Sequence, residues 1–127
     1  MERTIKILLV DDDELVLEMT NSILELHGYL SLPAREANKA LRAFQESGFD
    51  LLLTDFNMPG KNGVELAVKC REINPTLPVM FLSGNIEDAR EEAKRRGIEE
   101  DERTHFVRKP VEDWQKISLT IKNLAFP

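Results

Sequence analysis

At 127 residues the chain has the length of one domain, with enough interior to fold without covalent staples. Its 17 basic and 23 acidic residues leave a net charge of −6, the wrong sign for a nucleic-acid footprint. The single cysteine, Cys70, excludes an internal disulfide framework, and no apolar run approaches the ~18 residues needed to cross a bilayer. With no apolar targeting segment at the N-terminus, a cytoplasmic location is expected. Cys70 falls in a helical pattern, where it reads as a small buried hydrophobe.

Ile5 to Val10 reads as a first buried strand that stops abruptly at Asp11-Asp12-Asp13. From Glu14 to His27, Leu15, Met19, Ile23 and Leu26 recur at helical spacing, and Gly28 is the stop signal. Tyr29 to Leu32 forms a second short strand; Ala37, Ala40, Leu41 and Phe44 then mark one face of a helix ended by Gly48. Asp50 to Thr54 is the third strand, and Pro59-Gly60 turns the chain into a helix over Val64 to Ile73, left at Asn74-Pro75. Val79 to Leu82 is the fourth strand. Ile86, Ala89 and Ala93 line one side of a charged helix running to Gly97, small residues that imply a shallow contact. Thr104 to Arg108 is the fifth strand, and Trp114, Ile117, Ile121 and Leu124 form the stripe of a last helix.

Five short buried strands alternating with five amphipathic helices argue for parallel strands joined by right-handed crossovers. The expected fold is a single-domain α/β sandwich over residues 1–127, a doubly wound five-stranded parallel sheet with helices on both faces. Such a sheet brings the carboxyl ends of its strands to one edge, where ligands bind. Asp11 and Asp12, Asp55, Ser83 and Lys109 all follow strands on that edge. Each alone has an ordinary explanation as a helix cap, a turn or a solvated charge. Together they differ, because three carboxylates at one edge repel each other unless a cation neutralises them. Magnesium is the economical choice, since it takes oxygen ligands and keeps waters for a phosphoryl group. Lys109 adds a fixed positive charge, Asp55 is a candidate nucleophile toward phosphorus, and Ser83 a donor to a phosphoryl oxygen. Neither His27 nor His105 has a partner at ligand or triad spacing, and no glycine-rich nucleotide loop is present.

The stretches LLVDDD, LLLTDFNMPG, FLSG and FVRKP, in this order, resemble the receiver domain of bacterial two-component response regulators, over nearly the whole chain. The resemblance implies the flavodoxin-like (βα)5 fold of the chemotaxis regulators, with Asp55 accepting phosphate from a histidine kinase or phosphotransfer protein. It implies magnesium held by Asp11, Asp12, Asp55 and the main-chain carbonyl of Asn57, while Asp13 starts the first helix. Ser83 and Lys109 match the hydroxyl and lysine of the phosphorylation site. Ser83 and Phe106 match the two switch positions, and Asn57 and Asn85 the two that tune loss of the phosphate. The Lys109-Pro110 bond is expected to be cis. A receiver is a signalling module, not an enzyme, catalysing only its own phosphoryl transfer and autodephosphorylation; its downstream output is a protein or domain, with no nucleic acid or membrane engaged by the receiver itself.

In one respect the chain departs from the pattern: Gly97 lies twelve positions before Lys109, longer than the common spacing, and Glu99 to Arg103 fill the gap. Such a charge run reads first as a solvated loop, and second as an alteration of the face made by the fourth helix, fifth strand and fifth helix. Two rival functions are also defined. One is a metal-dependent phosphatase with Asp11 as nucleophile in an Asp11–Asp13 pair; the other is a receiver-like adaptor that is never phosphorylated.

Overall fold

The computed structural model describes residues 3–58 and 62–126. The Pro59-Gly60 turn lies outside the described residues. Strands and helices alternate as β1 (Lys6–Val10), α1 (Glu14–Leu26), β2 (Leu30–Ala34), α2 (Ala37–Glu46), β3 (Leu51–Asp55), α3 (Gly63–Ile73), β4 (Val79–Ser83), α4 (Ile86–Arg95), β5 (Thr104–Arg108) and α5 (Trp114–Ala125). All strand pairs are parallel, in the order β2-β1-β3-β4-β5. The expected doubly wound α/β fold is therefore the one formed.

β3 and β4 are buried at every position, as strands covered on both faces must be. Period-two alternation divides their side chains between two cores. Leu8, Val10, Leu52 and Phe81 pack with Phe44, Ala67, Cys70, Ala89 and Ala93 of α2, α3 and α4. On the other face Ile7, Leu9, Leu53 and Met80 pack with Leu17 and Leu24 of α1 and Ile117, Ile121 and Leu124 of α5. Asp13, Asn62, Asn85 and Asp113 each cap a helix N-terminus through their side chains. Gly28 and Gly97 adopt φ of +89° and +85° where helices end, a conformation that a Cβ would disfavour.

Two expectations need correction. The stripe expected to bury α1 is largely on its outside: Leu15, Met19 and Leu26 are exposed by 77%, 60% and 86%, while Leu17, Thr20 and Leu24 face the sheet. α1 is apolar on more than one side, so more than one stripe has helical spacing. The second correction is β2, which runs from Leu30 to Ala34 rather than from Tyr29 to Leu32. Tyr29 precedes it and is buried, its hydroxyl donating to the Ser118 carbonyl at 2.9 Å. The strand continues through Pro33 because β2 is an edge strand, where a missing N–H is tolerated.

Cys70 is fully buried, and burial pushes its thiol pKa up to about 12. Thiolate is the reactive form, so a disulfide reagent at pH 8 is expected to label Cys70 only as fast as the chain opens, and at once in denaturant. Mass spectrometry after timed labelling checks this.

Candidate functional site

β1 and β3 are paired with Val10 opposite Thr54, so Asp11 and Asp55 emerge side by side at the carboxyl edge. β4 and β5 end beside them, and the Lys109 N–H donates to the Ser83 carbonyl at 2.8 Å, tying those two ends together. Asp11 is 3% exposed and Asp55 8%; one carboxylate oxygen from each of Asp11, Asp12 and Asp55 lies within 4.8 Å of the others. Asp11 accepts from Lys109 Nζ at 2.7 Å and from the Asp13 N–H at 2.9 Å. Lys109 Nζ also stands 3.6 Å from Asp55 Oδ2. The Lys109-Pro110 peptide is cis. Asp13 begins α1 by accepting from the Leu15 and Val16 N–H groups, as expected of it.

Burial raises the Asp55 pKa from 3.8 to about 6, with Asp11 and Asp12 pushing the same way and Lys109 opposing. Lys109 is itself raised: burial disfavours its charge, but the hydrogen bond to Asp11 and the charge of Asp55 outweigh burial. One ammonium against three carboxylates leaves the cluster negative. An all-oxygen donor set with excess negative charge fits a hard divalent cation.

Ser83 reaches the same edge, buried, yet its Oγ is turned into the following loop. It donates to the Asn85 carbonyl at 3.0 Å and accepts from the Asn85 N–H at 3.1 Å. Phe106 is buried on β5. Its ring stacks on Phe81 at 5.2 Å and leans on Phe56, the residue after Asp55, at 6.3 Å. Asn57 is exposed two positions beyond Asp55.

Three positioning residues were not anticipated. Gly63 begins α3 with its N–H donating to the Phe56 carbonyl at 3.0 Å, and a Cβ there would lie 2.5 Å from the Asp55 carbonyl oxygen. A glycine at a helix start just after a site loop was the available signal. Arg71 of α3 donates from Nε to the Leu77 carbonyl at 3.0 Å and from Nη2 to Thr104 Oγ1 at 2.9 Å. Glu100 accepts from the Phe106 N–H at 3.1 Å and pairs with Arg90 at 2.9 Å. Glu99 to Arg103 are all exposed, as expected of a solvated loop, and the segment is in addition tethered to the fold; no periodicity marks such side-chain bonds.

A family model described as the response regulator receiver domain matches residues 7–121. The response regulator receiver protein CpdR of Brucella abortus is 39% identical over 79 residues, 62% of this chain and 66% of CpdR. The transcriptional regulatory protein ComA of Bacillus subtilis is 36% identical over 98 residues, 73% of this chain but 46% of ComA, so the chain spans under half of that relative. Among solved structures, a response regulator receiver domain protein from Clostridium thermocellum superimposes with a TM-score of 0.82 at 30% identity, over 95% of this chain and 94% of that one. Four strand ends carrying two aspartates, a third aspartate, a serine and a lysine, on a fold and sequence shared with these proteins, make the chain a member of the response regulator receiver family of two-component signalling systems.

Proposed function

We propose that residues 1–127 form one receiver domain whose Asp55 accepts a phosphoryl group from the phosphohistidine of a cytoplasmic histidine kinase or phosphotransfer protein. The observation that carries this reading is the placement of Asp55, nearly buried at the end of the central strand with Lys109 Nζ 3.6 Å away. A pKa of about 6 leaves Asp55 ionised at neutral pH and more basic than an ordinary aspartate. An Asp55 carboxylate oxygen attacks phosphorus, the phosphorus–nitrogen bond breaks, and the imidazole departs with the electron pair, leaving an acyl phosphate on Asp55.

Asp11, Asp12, Asp55 and the main-chain carbonyl of Asn57 are the proposed ligands of Mg²⁺. Bound magnesium supplies the charge neutralisation that lets a phosphoryl group approach three carboxylates. Lys109 is already held between Asp11 and Asp55, so its ammonium meets the phosphoryl oxygens without reorganising. Ser83 leaves the Asn85 carbonyl to donate to a phosphoryl oxygen, drawing the start of α4 with it. The domain works on its own phosphoryl group, and the change at α4 and β5 is what an output protein or domain reads. The phosphatase alternative is not favoured: the chain matches the receiver family over residues 7–121, and Asp11 as nucleophile would leave Asp55, at the end of the central strand, without a role.

Incubation with a small acyl phosphate and Mg²⁺ is expected to add one phosphoryl mass to the protein, and Asp55→Asn to abolish it. Intact-mass spectrometry decides the matter: labelling that persists in the variant overturns the assignment of Asp55.

A further inference from the structure

We propose that Arg35 is a phosphodonor-binding residue, a guanidinium at the mouth of the Asp55 site that draws in the donor's phosphoryl group, with Glu14 opposing it. The inference deepens the reading of Asp55 as phosphoacceptor and rests on it. Ala34, Val10 and Thr54 stand side by side on β2, β1 and β3. The residues that follow them are Arg35, Asp11 and Asp55, which form one row across the carboxyl edge. The Asp11 N–H donates to the Ala34 carbonyl at 3.2 Å and ties β2 into that row.

Period-two alternation turns the row to one side of the sheet. Ile7, Leu9, Leu51 and Leu53, of the same parity as Asp11 and Asp55, pack in the core under α1 and α5. Arg35 turns to that side too, because its Nη1 stands 3.7 Å from Oε2 of Glu14, the first residue of α1. The two side chains are 56% and 62% exposed, so the pair is solvated and weak and leaves the guanidinium open to a visitor. Lys109, by contrast, is already committed to Asp11 and Asp55. The acidic row therefore lies between a half-buried cation engaged with its carboxylates and an exposed one at its rim.

A phosphodonor is an anion, and the edge it must reach carries Asp11, Asp12, Asp13, Glu14, Glu36 and Asp55. Arginine suits the rim, since its charge is permanent and its fork of N–H groups matches phosphoryl oxygens. Two strand spacings put Arg35 about 10 Å from Asp55. At that distance in water, one elementary charge changes the local concentration of a dianion by about fourfold. The signs follow from charge alone: Arg35 favours capture of the donor and Glu14 disfavours it.

The test follows mass gain of the whole chain with acetyl phosphate and Mg²⁺ at low ionic strength, read as a second-order rate constant. Arg35→Gln is expected to lower it about fourfold, Arg35→Lys to retain most of it, and Glu14→Gln to raise it. Lys122→Gln removes a positive charge from the last turn of α5, at the opposite end of the sheet, and is expected to behave as wild type. Salt at about 0.5 M, where charges are screened within about 4 Å, is expected to erase the differences. Phosphoramidate, a less charged donor, is expected to lose less than acetyl phosphate in Arg35→Gln. Equal rates in wild type and Arg35→Gln overturn the role of Arg35, as does an equal loss in Lys122→Gln. A loss that persists in concentrated salt also overturns it, being the mark of a structural defect. If wild type takes no label at Asp55, the reading of Asp55 falls and Arg35 with it; if wild type is labelled and Arg35→Gln keeps pace, Arg35 alone falls.

Discussion

Gly63→Ala is expected to destabilise the protein by about 2–3 kcal/mol and to slow labelling at Asp55. In most helices this exchange is favourable, because glycine loses more backbone freedom than alanine on folding. Here the sign reverses. The added methyl would stand 2.5 Å from the Asp55 carbonyl oxygen and 3.3 Å from both Phe56 Cα and Thr54 Cγ2. Two of these three atoms are backbone, so no rotamer change relieves the overlap. Either α3 withdraws, breaking the 3.0 Å bond from the Gly63 N–H to the Phe56 carbonyl, or the end of β3 shifts and takes the Asp55 carboxylate with it. A Cβ added to Gly48 would meet no atom within 4 Å, so Gly48→Ala is the matched control and is expected to be near neutral. Urea denaturation measures the stability difference, and the rate of mass gain with acyl phosphate measures the displacement.

Asp55→Asn is expected to act in the opposite direction on stability, raising it by about 3 kcal/mol at pH 7.5 when divalent cations are chelated. The Asp55 pKa is higher in the folded chain, about 6 against 3.8, so the folded state binds more protons between these values. Stability of the wild type therefore falls as pH rises through that window and stays lower above it. Asparagine does not titrate, so the advantage of the variant is absent below pH 4, grows to pH 6 and is constant beyond. Millimolar Mg²⁺ is expected to erase it, since a cation among Asp11, Asp12 and Asp55 relieves the burial and repulsion that raise the pKa. Thermal or urea unfolding across pH 3.5–8, with and without chelator, reads the whole curve.

The fold was legible because β3 and β4 are continuous apolar runs and because capping and stop residues mark most helices. Asp11, Asp12, Asp55, Ser83 and Lys109 were legible for the same reason: each ends a strand or lies within two residues of its end, and parallel topology carries strand ends to one edge. What escaped was whatever periodicity does not encode. Leu15 and Leu17 both belong to plausible helical stripes, and only packing against the sheet selects the one with Leu17 and Leu24. The second strand was placed over Tyr29 to Leu32, and nothing in that pattern says that an edge position lets it run on through Pro33 to Ala34. Glu100 sits in a run of charges, and nothing in that run says that one carboxylate turns back to a main-chain N–H while Glu99 faces Lys94.

The outer strands of a sheet are where another chain can add itself, and proteins guard them against aggregation. In β2 the guard is Pro33, which interrupts the row of donors. In β5 it is the side chain of Glu100, which occupies the Phe106 N–H, with the Asp101–Thr104 bridge closing the strand's first residue. The Glu100 contact therefore shields the β5 edge from strand addition. A variant that lacks the Glu100 carboxylate leaves that donor open to a neighbouring molecule, so the resistance of this edge to self-association is held by one side chain.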